Sequence, residues 1–555
     1  MVSEEKKKNP VIADNPQYIF LFRRIVRIIK NVHSKCNTDI MKSRVLFIYP
    51  TGFRITGLPM GLASLSAFLK AHGHSVKIFD TAFYGSTEEK SQTIVRTERL
   101  MSKPITDEDH YMPVNQTTVE EDLLKTIRKY QPHLIAFSIV EPTYDQSLKL
   151  SRFIKKHFNT IPVVAGGVFP TLSPDIVIAE ESIDMVCLGE GETILNELCE
   201  RLAQKSGYTD VTGLWVKKDG VIHKNDPPRL LDINTLPFPD FTEFDPRLFY
   251  KPMQGKMYKM INIASSRGCP NQCTFCGAPQ LRKFFKQYDC GLYYRHLTAK
   301  RLIEHIQYEI KVHNPDFIYF STENFLSMKE DDFQTFITEY RKIKIPFWIQ
   351  TRIDTITKER LEALREIGLL WITLGLEHGN EEFRTTILKR KYTNKLFLER
   401  MEILRDLGMG ATLNNIIGFP FETRELVFDT IRLNRQLYER NPRLESNVCV
   451  FTPFRGCDLY TICKENGLLG DEAYTSSQDQ DEQSVLKFPK EFADTIAGMV
   501  RTFNLYIQLP EKYFEDLKIA ETPTEEGDRM RKKLLGICHK LEQEALKTAS
   551  QDPFS

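Results

Sequence analysis

No window of about eighteen uncharged apolar residues occurs in the 555-residue chain, which excludes a membrane-spanning helix as an organising element. A charge surplus is missing too: Lys+Arg 75 against Asp+Glu 74 leaves a formal +1. Without a global field, nucleic acid is excluded as a partner class, and any charged partner must be met by a local patch. Cysteine is scarce, with 11 residues, too few for a disulfide scaffold, and the chain does not open with an apolar signal segment and small-residue cleavage site. A reducing cytoplasmic location, with membrane association left open, is the expectation. What the chain does have is length and 41% hydrophobic side chains, more than one core usually organises, so two or three domains are expected.

Residues 1–40 read as an extension. Within it YIFLFRRIVRIIK, residues 18–30, puts Tyr18, Leu21, Phe22, Ile25, Ile28 and Ile29 on one helical face and Arg23, Arg24, Arg27 and Lys30 on the other. Three readings stay open for this basic amphipathic helix: packing on the body of the protein, contact with a membrane surface or partner, or sequence upstream of a true start at Met41.

From residue 44 strands and helices alternate. Apolar runs at 44–49, 75–80, 134–140, 163–167 and 184–192, separated by helical periodicity at 61–73, 118–130, 147–158 and 193–204, predict a doubly wound, Rossmann-like parallel sheet over 41–204. Its ligand is expected beyond the strand C-termini. Residues 82–117 form a polar insertion, long enough for a lid. Residues 205–255, rich in proline, read as a connector. A second series then begins, with strands at 260–264, 317–321, 347–351, 370–377, 411–419 and 447–453, each but the last followed by a helical segment. Six β/α units predict a partial (β/α)6 barrel over 256–465, with its active site at the strand C-termini. Residues 466–555 read as a helical C-terminal region, expected to cap the barrel mouth.

The first of these barrel strands runs into SSRGCPNQCTFCGAP, with Cys269, Cys273 and Cys276 spaced C-x3-C-x2-C. Structural zinc takes four protein ligands, and the remaining cysteines offer no second C-x2-C pair. An iron–sulfur cluster remains, because thiolates suit iron and a cubane takes one ligand per iron. Three cysteines leave one iron open. Cys457 and Cys463 read as ordinary buried or surface thiols, with extra cluster ligation as the alternative.

The C-x3-C-x2-C spacing, with Phe275 before the last cysteine and a place at the end of barrel strand one, resembles the radical S-adenosylmethionine (SAM) superfamily. The resemblance covers about 255–465. It implies a 4Fe-4S cluster on the three cysteines, with SAM chelating the open iron and cleaved to methionine and a radical that abstracts hydrogen from unactivated carbon. It also implies Phe275, Glu323, Arg352, Glu377 and Gly418 as SAM contacts: Glu323 in FSTENF at the amino group, Arg352 in TRID at the carboxylate, Glu377 in LGLEHG at the ribose, and Gly418 in IIGFPFET beside the adenine. Thr322 stands where the family has an acidic residue. For Arg352 and Glu377 an ordinary salt bridge is the competing reading.

The sheet at 44–204 resembles the cobalamin-binding domain that precedes the barrel in one large subclass. The matching segments are PTGF (50–53), GLPMGLASL (57–65), FSIVEPTYDQS (137–147), AGG (165–167) and LGEGE (188–192). This resemblance implies Ser138, Gly166, Gly167, Gly189, Glu190 and Gly191 as cobalamin contacts, the glycines letting the nucleotide tail approach the backbone. The D-x-H-x-x-G motif of other cobalamin proteins is absent, since DTAFYG at 80–85 has no histidine. A degenerate sheet that merely docks on the barrel is the competing reading.

Both cofactors together imply methyl transfer to an unactivated carbon or phosphorus of a small molecule, lipid or natural-product precursor, with an electron donor such as flavodoxin or ferredoxin. A cobalamin-dependent radical cyclase or rearrangement enzyme is the alternative, and a non-catalytic cobalamin or SAM sensor the reading from another class. No catalytic acid, base or radical-quenching residue can be named from the sequence.

Overall fold

The computed structural model describes residues 42–52, 57–85, 92–105, 113–470, 474 and 483–548. The basic amphipathic stretch 18–30 lies outside them. Among the described residues no helix is long and apolar enough to cross a membrane.

The first sheet contains β1 (Arg44–Tyr49), β2 (Ser75–Asp80), β3 (Leu134–Ser138), β4 (Val163–Gly166), β5 (Met185–Cys187), β6 (Leu214–Lys218) and β7 (Val221–His223). Its order is β2-β1-β3-β4-β5-β6-β7. The first five strands are parallel, in the doubly wound order whose switch point lies between β1 and β3. RVLFIY and LIAFS are apolar on both faces because helices cover both. Thr118 opens the helix Val119–Tyr130: its hydroxyl accepts from Glu121 N–H (3.2 Å) while the Glu121 carboxylate accepts from Thr118 N–H (3.1 Å).

The connector differs from expectation. β6 and β7 extend the sheet antiparallel, joined by Asp219 and Gly220, both left-handed (φ 50° and 77°). An Asp-Gly pair between two short apolar runs favours a tight hairpin, and this local signal outweighs the prolines further along.

The second sheet contains β8 (Tyr250–Met253), β9 (Lys256–Ile263), β12 (Phe317–Phe320), β13 (Phe347–Thr351), β14 (Leu369–Glu377), β15 (Gly410–Ile417) and β16 (Leu444–Val450); a small hairpin, β10 (Ser266–Arg267) with β11 (Arg295–His296), follows β9. The order β16-β15-β14-β13-β12-β9-β8 gives six parallel strands in chain sequence with β8 antiparallel at the edge. The expected six-unit barrel is therefore present and open between β8 and β16.

One contact bridges that gap, Gln254 Nε2 donating to Glu445 Oε1 (2.6 Å), and two more hold the insertion beside it: Arg96 Nη2 donates to Asn447 Oδ1 of β16 (2.8 Å) and Asn504 Nδ2 of the helix Lys490–Gln508 to Arg99 O (2.9 Å). Residues 92–105 of the polar insertion thus lie along the open flank. Met253, Met260, Phe317 and Trp371, with Tyr258, Tyr319 and Trp348 against them, fill the barrel floor. The helix Lys490–Gln508 packs by Ile496, Met499 and Val500 against the outer side of β15 and β16, whereas the segment from Phe451 to Leu469 and Leu486 packs with Phe275 beside the cysteine loop.

Candidate active site

The cysteine loop leaves β9 through Gly268, whose φ is +80° and whose Cβ position lies 2.6 Å from the Tyr293 carbonyl oxygen, so no side chain fits there. Thr274 anchors the loop. Its hydroxyl donates to Ile387 O (2.7 Å) and its carbonyl accepts from Leu459 N–H (3.0 Å). Burial pushes the Cys276 thiol up to about 11 and raises that of Cys273, the latter opposed by Arg390 and Arg352. Cys273 and Cys269 also act on Cys276. Donors point at two of the sulfurs: Asn271 Nδ2 at Cys269 (3.3 Å) and Ala278 N–H at Cys276 (3.5 Å). No three His, Cys, Asp or Glu side chains among the described residues converge tightly enough for a single ion. The three thiols are neighbours, since Cys269 and Cys273 both act on Cys276.

Arg352 and Glu377 act on each other and on the Cys273 thiol, and Glu323 acts on Cys276 and is coupled to Glu377, so the three meet at the barrel mouth beside the cysteines. Desolvation, reinforced by Glu377, raises the Glu323 carboxyl, and no side chain among the described residues donates a hydrogen bond to it. Glu323 is exposed at this opening, and a carboxylate there that accepts from no side chain suits an ammonium. Thr322, at the position the family makes acidic, is structural: its hydroxyl accepts from Ser265 N–H (2.7 Å), tying the loop after β12 to the end of β9.

Glu377 sits at a bulge in β14 with φ +65° and is ion-paired with Arg390, the residue that sequence reasoning missed. Gly375 leaves the space for this pair, since its Cβ would fall against both groups. Arg390 Nε is buried without a partner, which leaves a donor available to a ligand carboxylate or hydroxyl. Arg352 lies over the Tyr392 ring at 5.8 Å and also grips Asp354 (Nη2–Oδ2 2.8 Å), the salt bridge weighed against a SAM role. Gly418 has φ +80° and packs against Val450 and Ile496, its N–H bonded to Glu422, which also meets His378 Nε2 at 3.0 Å. Phe275 stands 6.1 Å from Phe419, ring to ring.

Ser138, Gly166, Gly167, Gly189, Glu190 and Gly191 line one cavity of about 430 Å³. Its inner end lies between the first sheet and the helices Met60–Ala71 and Glu192–Ala203, among Phe47, Leu62, Leu65, Val164 and Leu195; its outer end reaches Ala264 and Ser321 at the tops of β9 and β12. An apolar slot with glycine-edged walls suits a flat aromatic tail. Gly167 (φ +111°) cannot carry a side chain, because its Cβ would lie 2.6 Å from Ile139 O. Glu190 is held by Arg267 (Nη1–Oε2 2.9 Å) and by Arg295, so its carboxylate is engaged in joining the two sheets. Cys457 and Cys463 are buried, their thiols pushed up to about 12, in keeping with packing. His74, buried, accepts from Ser43 N–H at the N-terminal edge of the sheet, away from this cavity.

A thiol triad at the mouth of an open six-strand barrel, beside a cavity that runs from the tops of β9 and β12 into a glycine-edged doubly wound sheet, defines a two-cofactor enzyme architecture. Residues 263–433 match the Radical SAM superfamily and residues 106–199 match the B12 binding domain, so the chain carries a segment of each kind. It is 25% identical over 423 residues to an uncharacterized methyltransferase, PH0819, of Pyrococcus horikoshii (75% of this chain, 80% of the relative). It is also 25% identical over 426 residues to the anaerobic magnesium-protoporphyrin IX monomethyl ester cyclase of Synechocystis sp. (74% of each). Among solved structures, the cobalamin-dependent SAM radical enzyme OxsB with aqua-cobalamin and SAM bound shares the fold, with a TM-score of 0.60 at 15% identity over 91% of this chain and 72% of that one.

Proposed function

We propose that the chain is a cobalamin-dependent radical SAM methyltransferase acting on an unactivated carbon or phosphorus of a small molecule, lipid or natural-product precursor. One observation carries this reading: a single cavity runs from the glycine-edged sheet to the tops of the barrel strands, so a cobalamin held by the first would face a SAM held by the second. Together the bound cofactors supply hydrogen abstraction and a transferable methyl group.

The chain's own residues take these parts. Cys269, Cys273 and Cys276 hold the 4Fe-4S cluster. Glu323 receives the SAM ammonium, Arg352 and the free Nε of Arg390 its carboxylate and hydroxyls, and Glu377 orients Arg390. Phe275 stands at the mouth, and the backbone turn at Gly418 lies beside the adenine. Ser138, Gly166, Gly167, Gly189 and Gly191 line the tail slot, and Glu190 aligns the sheets. Residues 41–204 with the added hairpin bind cobalamin, 256–465 bind SAM, and a flavodoxin or ferredoxin supplies the electron.

The methyltransferase relative supports this assignment, and the cyclase relative supports the second reading, radical ring formation. Turnover of a metabolite extract with methyl-deuterated SAM separates them. Transfer places deuterium in a product and yields both S-adenosylhomocysteine and 5'-deoxyadenosine. Deoxyadenosine without homocysteine or label means cyclisation.

A further inference from the structure

The aromatic floor of the barrel carries polar groups that form a shelf facing the lumen. Trp348 Nε1 donates to Thr373 (2.8 Å), Trp371 Nε1 to Thr412 (2.8 Å), and Gln350 meets the Tyr319 hydroxyl. Each of these donors has its acceptor. One group stands apart. Lys251, on edge strand β8, pairs in register with Tyr258 and so shares the lumen face with Tyr258 and Asn262 of β9. Its Nζ donates to Asn262 Oδ1 (2.7 Å) and sits 5.1 Å from the centre of the Tyr319 ring. No carboxylate among the described residues pairs with it. Burial alone pulls its ammonium down to about 8.

An amide oxygen and a ring face are weak compensation for a half-buried cation with no counter-charge. A methionine would fill the same volume without that cost, so packing does not account for a lysine here. Its position is informative. Glu323 acts on the Tyr319 phenol, which puts the lysine within one layer of the SAM site. Asn262 Nδ2 in turn donates to Leu58 O (3.3 Å), in the loop that follows β1 of the cobalamin sheet. Lys251 therefore stands where the lumen meets both cofactor domains.

We propose that Lys251 anchors an anionic group of the substrate, a carboxylate or a phosphate-type oxyanion, inside the barrel. The inference rests on reading the barrel as the reaction chamber and narrows the substrate to an acid. The anion supplies the missing counter-charge, and its attachment to the shelf directs the rest of the substrate towards the mouth.

The test uses the full cofactor-loaded chain and reads no turnover, so failure of the methyltransferase reading leaves it intact. The protein is briefly acylated with acetic anhydride at pH 8 in chloride, inorganic phosphate or acetate at matched ionic strength, and lysine acylation is quantified by peptide mass spectrometry. The expected result is at least a threefold fall at Lys251 in phosphate or acetate, with exposed Lys300 unchanged; the more protective anion identifies the acid class. A second readout is the melting temperature of the ligand-free Lys251→Met chain at pH 7, expected above wild type because an uncompensated charge has been removed. Equal acylation of Lys251 in all three buffers, including none in any, would overturn the proposal. So would protection by cobalamin with neither anion effective, or a lower melting temperature for Lys251→Met, which would mark a structural lysine.

Discussion

Arg267, two residues before Cys269, donates through Nη2 to Glu192 Oε1 at 2.7 Å and through Nη1 to Glu190 at 2.9 Å, so one guanidinium joins the cysteine loop to the turn that ends β5. Ser64 Oγ accepts from the same Nη2 at 2.6 Å. This contact ties the first sheet to the cysteine loop. Arg267→Met leaves Glu192, 4% exposed, without its cation, at a cost of about 3 kcal/mol. The expected outcome is a lower melting temperature, together with cobalamin loss on gel filtration while the cluster absorbance remains.

Arg390 should matter more to SAM than to the cluster. Arg390→Leu strands Glu377 in a buried site and deletes the free Nε, so SAM affinity should fall by a factor of about 100 in equilibrium dialysis, the effect of losing a buried charge-assisted pair. Arg390→Lys keeps the charge but not the planar fork and should recover only part of it.

Glu445, between Gln254 and Thr412 at the open flank, has its carboxyl pushed up to about 7, mainly by burial. A folded-state value above the unfolded 4.5 means that the folded chain holds the proton more tightly, so stability declines as pH rises from about 4.5 to 7 and the penalty is complete above that window. The ceiling is about 3 kcal/mol. Melting curves of wild type and Glu445→Gln should coincide near pH 5 and separate by pH 8, with the variant the more stable.

The cobalt should lack a protein imidazole. His74 is spent at the far edge of the sheet, and His305, which lines the cavity, lies flat on Phe238 (centroids 5.1 Å apart, planes at 5°) with its Nε2 on Glu309 (3.1 Å). Electron paramagnetic resonance of the Co(II) form is expected to show no threefold nitrogen splitting. A splitting that disappears in His305→Ala would identify that ring as the ligand.

What was legible in the sequence and what was not divide along physical lines. Parallel strands buried on both faces are unbroken apolar runs, so β1, β3 and the six barrel strands stand out, and thiols at a strand end are distinctive by their chemistry. The β6–β7 hairpin was hidden because its signal is two turn residues in a proline-rich stretch. Arg390 and Lys251 were hidden for another reason: each is an ordinary basic residue in its local context, and only the barrel's curvature brings one to Glu377 and turns the other into the lumen. The placing of 92–105 beside the open flank depends on contacts to residues hundreds of positions away, such as Arg96 with Asn447.

Iron content tests the ligand count. Anaerobic reconstitution should give about four irons per chain, with Cys269→Ala, Cys273→Ala and Cys276→Ala each unable to cleave SAM and Cys457→Ala unaffected. A value near eight would mean that Cys457 or Cys463 helps to hold a second cluster.

The central claim, that two cofactor sites act on one SAM pool through one cavity, is tested most directly by following both fates of SAM in the reduced, fully loaded chain and in two variants. Wild type should release 5'-deoxyadenosine and S-adenosylhomocysteine together. Cys273→Ala should abolish deoxyadenosine, and Gly191→Leu, which narrows the cobalamin slot against Leu65, should abolish homocysteine while deoxyadenosine persists. Homocysteine absent from wild type, or unaltered in Gly191→Leu, would contradict the account.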